Sequence, residues 1–153
     1  MQNTHETWLT TFNSNTCRVY HYSKNELDLF KTIEHPENRQ HDTDITADKS
    51  GNYKSPVVGT SGTFAQASDP KEIQVDNFAR EIANLLESAR TAGSLKKLIL
   101  VAPPHMMGLV NKHISKQVEH LVLHDIKKDF MFLPEKELLR SVNHIIEEKK
   151  ELD

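Results

Sequence analysis

Cysteine is nearly absent: Cys17 is the only one in 153 residues. No intrachain disulfide can form, which favours a reducing compartment. Positive charge is not in excess either. Net charge is −3, so a globally basic surface for non-specific nucleic-acid binding is not expected, and DNA is not an expected partner. Local basic patches stay open. Met1 to Phe12 lacks a basic leader and an apolar stretch, so no signal peptide is read. Long hydrophobic runs are missing. The longest, Leu98 to Pro104, is far too short to span a bilayer. These absences predict a cytoplasmic protein with no membrane contact. Hydrophobic residues reach only 37% while 27% are charged. That balance fits one domain over residues 1–153, diluted by a polar loop and a charged tail from Glu147.

What is present is ordered at both ends of a bare stretch. Trp8 to Phe12, Cys17 to Tyr22 and Leu27 to Ile33 read as strands. Cys17, Val19 and His21 alternate with Arg18, Tyr20 and Tyr22. Asn13-Ser14-Asn15 and Ser23 to Glu26 are turn chemistry, since Asn and Ser side chains bond nearby backbone. Two short turns joining three strands predict an antiparallel meander. Residues 35–68 then show no hydrophobic period. Compact domains rarely carry so long a bare connection unless it works or is disordered. Asp42 to Ser68 is expected to be mobile.

Asp69-Pro70-Lys71-Glu72 is a helix start, with Asp69 as cap and Pro70 in the first turn. Val75, Phe78, Ile82, Leu85 and Ala89 recur at helical spacing, and Gly93 terminates. Leu98 to Ala102 is a continuous apolar run, the pattern of a strand buried on both faces. A second helix is expected over Met106 to Val118, with Met107, Val110, Ile114 and Gln117 or Val118 inward. Leu121 to Ile126 reads as a short strand, and Pro134 opens a third helix. The end, Glu147 to Asp153, reads as a solvated, fraying terminus. The order is βββ–loop–α–β–α–β–α. A meander followed by βα crossovers gives a mixed α/β sheet with helices on its faces. That order is the one of the ribonuclease-H-like fold.

Chemistry is sparse along this order. His113, His120 and His124 would share a face only if Met106 to Asp125 were one helix. The pair His120 and His124 also lacks the Glu beside the first His that a zinc-protease helix needs. No metal site is expected. Cys17 lies in an alternating strand and reads as a buried structural thiol. Ser61 and Ser68 sit in no nucleophile elbow. A ribonuclease-H-type nuclease needs carboxylates converging from the first strand. Trp8 to Phe12 has none, and Asp129 reads as a turn or capping residue. Gly51, Gly59 and Gly62 do not lead directly into a helix, so a phosphate loop is not formed. Lys96, Lys97, Lys112 and Lys116 could make a modest basic edge. No catalytic residue and no cofactor are expected, and the oligomeric state is not readable.

Several short pieces carry a resemblance. They are Asn13 to Tyr20, His35-Pro36-Glu37-Asn38-Arg39, Asp48-Lys49-Ser50-Gly51, Phe78 to Ala83, Leu98 to Pro104 with Gly108, and Lys128-Asp129-Phe130. In order and spacing they resemble the bacterial host-attachment protein family, described as required for attachment to host cells. The likeness covers Trp8 to Ile146. Asn52 stands where the family's loop pattern ends in Arg, so an anion contact made by that Arg would be missing here. The family is in turn similar to the middle domain of archaeal and eukaryotic release factors and of Pelota. Their loop before the long helix carries a Gly-Gly-Gln tip. Val58 to Phe64 has no such tip, so peptide release is not carried over.

The resemblance implies a non-catalytic protein meeting the ribosome or RNA through residues 35–68. The residues expected to bind are Asp48, Lys49, Gly51, Gly59 and Gly62 in the loop, with Lys96, Lys97, Lys112 and Lys116 on the edge. A hydrolase using the loop as a lid is the alternative from the enzyme class. An indirect factor in host-cell attachment is the third reading.

Overall fold

The structure, a computed structural model, describes residues 7–36 and 69–152. The stretch expected to be mobile, Asp42 to Ser68, lies outside them. Five strands form one mixed sheet in the order β3-β2-β1-β4-β5. They are β1 (Thr7–Phe12), β2 (Thr16–Tyr22), β3 (Leu27–Glu34), β4 (Lys97–Val101) and β5 (Val122–Ile126). β1, β2 and β3 make the antiparallel meander, while β1, β4 and β5 run parallel. The helices are α1 (Pro70–Thr91), α2 (Pro104–His113), α3 (Lys116–Glu119) and α4 (Glu135–Leu152). No helix among the described residues is long and apolar enough to cross a membrane.

Local chemistry sets the turns and ends. The Asn13 side-chain oxygen accepts from the backbone N–H groups of Asn15 and Thr16 at 3.0 and 2.9 Å. That closes the first hairpin with no positive φ at any non-glycine described residue. Asp69 caps α1 by accepting from the Lys71 N–H at 3.0 Å. Gly93 follows α1 at φ +82°, the left-handed conformation that glycine takes without steric cost.

Burial follows the period of the strands. Leu98, Leu100 and Ala102 join Trp8, Phe12, Cys17 and Val19 on one face, under α1, α2 and α3. Ile99 and Val101 join Leu9 and Tyr20 on the other, under α4. β4 is therefore covered on both sides, as its unbroken apolar run requires.

Two features differ from the sequence expectation. The second helix is not continuous over Met106 to Val118. It stops at His113, and Ile114 is extended at ψ 153°. Ser115 then starts α3, its Oγ accepting from the Val118 N–H at 3.1 Å. A serine that can cap favours a new start over continuation. Met106, Met107, Val110 and Val118 are buried and Gln117 is exposed. The charged stretch from Glu147, expected to fray, continues α4 to Leu152 in exposed helical turns. Its last turn carries Lys149 and Lys150, the sign of charge that a helix C-terminus favours.

Both outer strands carry a one-residue bulge. Val19 pairs with Lys31 and Tyr20 with Leu29, which leaves Phe30 unpaired. Leu98 pairs with Val122 and Ile99 with His124, which leaves Leu123 unpaired. Phe30 stacks on His21 at 4.0 Å and meets Trp8 edge-on at 4.9 Å. Bulges at sheet edges bend the strand and discourage pairing with another chain.

Candidate functional site

The strand registers define two ends of the sheet. Thr7 of β1 pairs with Lys97, and Phe12 at the other end of β1 pairs with Cys17. Thr16 pairs with Glu34, and the His35 N–H donates to the Asn15 carbonyl at 2.7 Å. β3 therefore runs out at the carboxyl end of the parallel strands. α1 comes back to the same end, because His35 Nε2 lies 2.8 Å from Glu81 Oε1 and its ring lies 4.9 Å from that of Phe78. The chain leaves the described fold here, at Pro36, and re-enters it at Asp69, where α1 starts.

Other separated pieces converge on this end. The Arg18 guanidinium donates to the Met131 carbonyl at 3.2 Å, and the Thr11 hydroxyl lies 3.4 Å from the Met131 sulfur. Asp129 accepts from the Met131 N–H at 3.3 Å, the turn role expected of it. The loop after β5 is thereby drawn over β1 and β2. The Cys17 thiol is fully buried, and burial, with the nearby Glu81 carboxylate, pushes it up to about 12. A thiol so held is protonated at neutral pH and is no nucleophile.

The expected binding residues fall on three stretches of the chain. Asp48, Lys49, Gly51, Gly59 and Gly62 lie outside the described residues. Lys96 and Lys97 are exposed at the amino end of β4, opposite the end where β3 runs out. Lys112 is exposed in the last turn of α2, and Lys116 opens α3. That region leans on α1 twice. His113 Nε2 lies 2.8 Å from Asp76 Oδ1, and the Ser115 hydroxyl donates to Glu87 at 2.8 Å. His113, His120 and His124 fall on α2, the end of α3 and β5, and no group of three metal-ligating side chains gathers among the described residues.

Sequence reasoning missed the His35–Glu81 and His113–Asp76 contacts. Their partners stand 46 and 37 positions apart, and single-sequence periodicity carries no signal for such pairs. The only hint was that His35 and Phe78 to Ala83 both belong to the short pieces on which the family resemblance was read. Gly108 has open space where a Cβ would lie.

Residues 8–142 match the model of a family described as protein required for attachment to host cells. The chain belongs to this host-attachment family. No curated protein matches the chain. Among solved structures, an archaeal translation termination factor is 15% identical at a TM-score of 0.46, over 97% of this chain and 41% of that one. A second, described as an archaeal protein, is 14% identical at 0.45, over 97% and 40%. The host-attachment chain thus spans about two fifths of the length of these structures.

Proposed function

We propose that this host-attachment family member is a non-catalytic, cytoplasmic binding protein that meets the ribosome or RNA through residues 35–68. One observation carries the reading. The chain enters the segment from β3 at the carboxyl end of the parallel strands, with His35 held by Glu81 and Asn15, and resumes at α1, which Asp69 caps. Open α/β sheets place their ligands outside that end, and fixed flanks present whatever lies between them. The translational half of the reading rests on the segment's place between the third strand and the long helix, the place of the release-factor loop. The 3-2-1-4-5 strand order supports the ribonuclease-H-like description. Peptidyl-tRNA hydrolysis is not part of the proposal, because the Gly-Gly-Gln tip is absent. Attachment to host cells is then an indirect consequence of a partner met inside the cell.

The test is co-sedimentation with ribosomal particles at low and rising salt, beside capture from lysate with and without ribonuclease. The intact chain and a Lys49–Thr63 deletion are compared. The intact chain is expected to sediment weakly and to be released by salt, since an acidic protein meets phosphate only locally. Absence of any association at low salt overturns the translational reading. Equal binding by the deletion removes the segment from it.

A further inference from the structure

Two grooves flank α4, and only the smaller is lined by a bulge residue, Leu123. The larger, about 530 Å³, lies on the Phe130 side. Two of its ionic groups pair within α4, Arg140 at 3.3 Å from Glu137 and His144 at 3.2 Å from Glu148, while Lys128 lines it with no ion pair among the described residues. The smaller, about 310 Å³, lies between β5 and α4. Its apolar lining is Ile99, Leu123 and Ile146. Leu123 is the bulge residue of β5 and is 51% exposed. Bulges commonly re-aim a side chain at a site.

The polar groups of this smaller groove are only partly satisfied by one another. The Tyr22 hydroxyl lies 2.5 Å from Asn143 Oδ1, and the Asn143 amide donates to the Lys24 carbonyl at 2.9 Å. Lys24 Nζ lies 3.5 Å from Glu147, the one acid among the described lining residues. Lys150 lines the groove and forms no ion pair among the described residues. Half-buried His124 lines it too. What remains unmatched is positive charge beside an apolar floor.

We propose that the groove between β5 and α4 binds an aliphatic carboxylate, with its chain on Ile99, Leu123 and Ile146 and its head group at Lys150. The volume is at the small end of small-molecule sites. An apolar floor with a lone cation selects an amphipathic anion over a sugar or a bare ion. The imidazole reports occupancy. Burial first, then Lys149 and Lys150, hold His124 below the usual histidine range. The other charged or titratable neighbours are Glu147 on α4, Asp125 on β5, and Tyr22 and Lys24 at the hairpin. A carboxylate at Lys150 offsets the positive field and raises the His124 pKa. A neutral ligand adds burial and does not.

The experiment titrates the full chain with octanoate, octanol and propionate, followed by methyl and histidine-ring NMR. Octanoate is expected to saturate, to shift the Leu123 and Ile146 methyls and to raise the His124 pKa. Octanol and propionate are expected to bind at least tenfold more weakly. Lys150→Glu should weaken octanoate at least tenfold, as should Leu123→Asp, with K150E still unfolding in one cooperative thermal transition although its helix-end charge is reversed. Equal binding of octanol makes the groove a bare apolar patch and overturns the proposal. So does full octanoate affinity in Lys150→Glu, or the absence of methyl shifts at millimolar octanoate. Each result is independent of ribosome or RNA binding.

Discussion

His113 Nε2 stands 2.8 Å from Asp76 Oδ1, and this contact ties the last turn of α2 to the first half of α1. The hydrogen bond to His113 is the chief reason that the Asp76 carboxyl sits below its ordinary value, with Arg80 adding to it. A carboxyl depressed in the folded state contributes stability above its unfolded value, about 3.9, and loses it as pH falls through the folded value. His113→Ala should therefore cost about 1 kcal/mol near pH 6. It should also flatten the acid limb of stability below about pH 4. Urea unfolding across pH checks this. An equal loss at pH 6 and pH 2 would assign the effect to packing instead.

Leu100 is fully buried and faces α1 and α2 from the doubly covered strand β4. Leu100→Ala should cost roughly 2–5 kcal/mol, the transfer term plus the cavity it leaves. A loss under about 1 kcal/mol in chemical denaturation would mean that the site collapses fully or that β4 is not central.

Much of this architecture was legible in the chain. Leu98 to Ala102 announced a doubly covered strand, Asn13 a hairpin, and Asp69-Pro70 the start of α1. The break at Ile114 and Ser115 was not, because the apolar period runs on through it to Val118 while Ser115 caps locally. The bulges at Phe30 and Leu123 were not either. Alternation specifies which face a residue takes, not which partner it meets across the ladder. At the site, charge picked out Lys96, Lys97, Lys112 and Lys116, yet it held no information on which end of the sheet each occupies. That depends on strand direction, which only the assembled topology supplies.

Thr10 lies fully buried between Val19 and Leu100 in the sheet register, and its hydroxyl has no hydrogen-bond partner among the described residues. An unpartnered buried hydroxyl carries a desolvation cost that a methyl of the same shape avoids. Thr10→Val should raise stability by about 1 kcal/mol. A drop in the denaturation midpoint would reveal a partner for the hydroxyl, such as a buried water.

Cys17 makes the opposite prediction with pH. Its folded thiol is raised to about 12, against about 8.5 for a free thiol. A group raised in the folded state contributes stability that is complete below the unfolded value and is lost as pH rises toward the folded one. Stability should fall from about pH 8.5 upward. Cys17→Ala should remove that part of the slope. Thiol labelling at pH 8 should also proceed only as fast as the protein opens. Rapid labelling of the native chain would contradict the burial.

The four lysines test whether the two ends of the sheet serve one partner. β1 separates the Lys97 end from the end where β3 runs out by roughly 17 Å, at about 3.4 Å per residue. One nucleic-acid strand places about one phosphate every 3.4 Å. A strand of five or six nucleotides therefore covers that distance, and a ribosomal surface does so easily. Two paired variants divide the edge: Lys96→Ala with Lys97→Ala, and Lys112→Ala with Lys116→Ala. If a pair meets phosphate, its loss should weaken binding across all sequences. The slope of log affinity against log salt should then shrink by about 0.7–0.9 per contact removed. Salt-dependent co-sedimentation measures this. Unchanged slopes in both variants, with binding lost in the Lys49–Thr63 deletion, would place recognition entirely at the segment's end of the sheet. A reduced slope in the Lys96 and Lys97 variant alone would show a partner that spans β1.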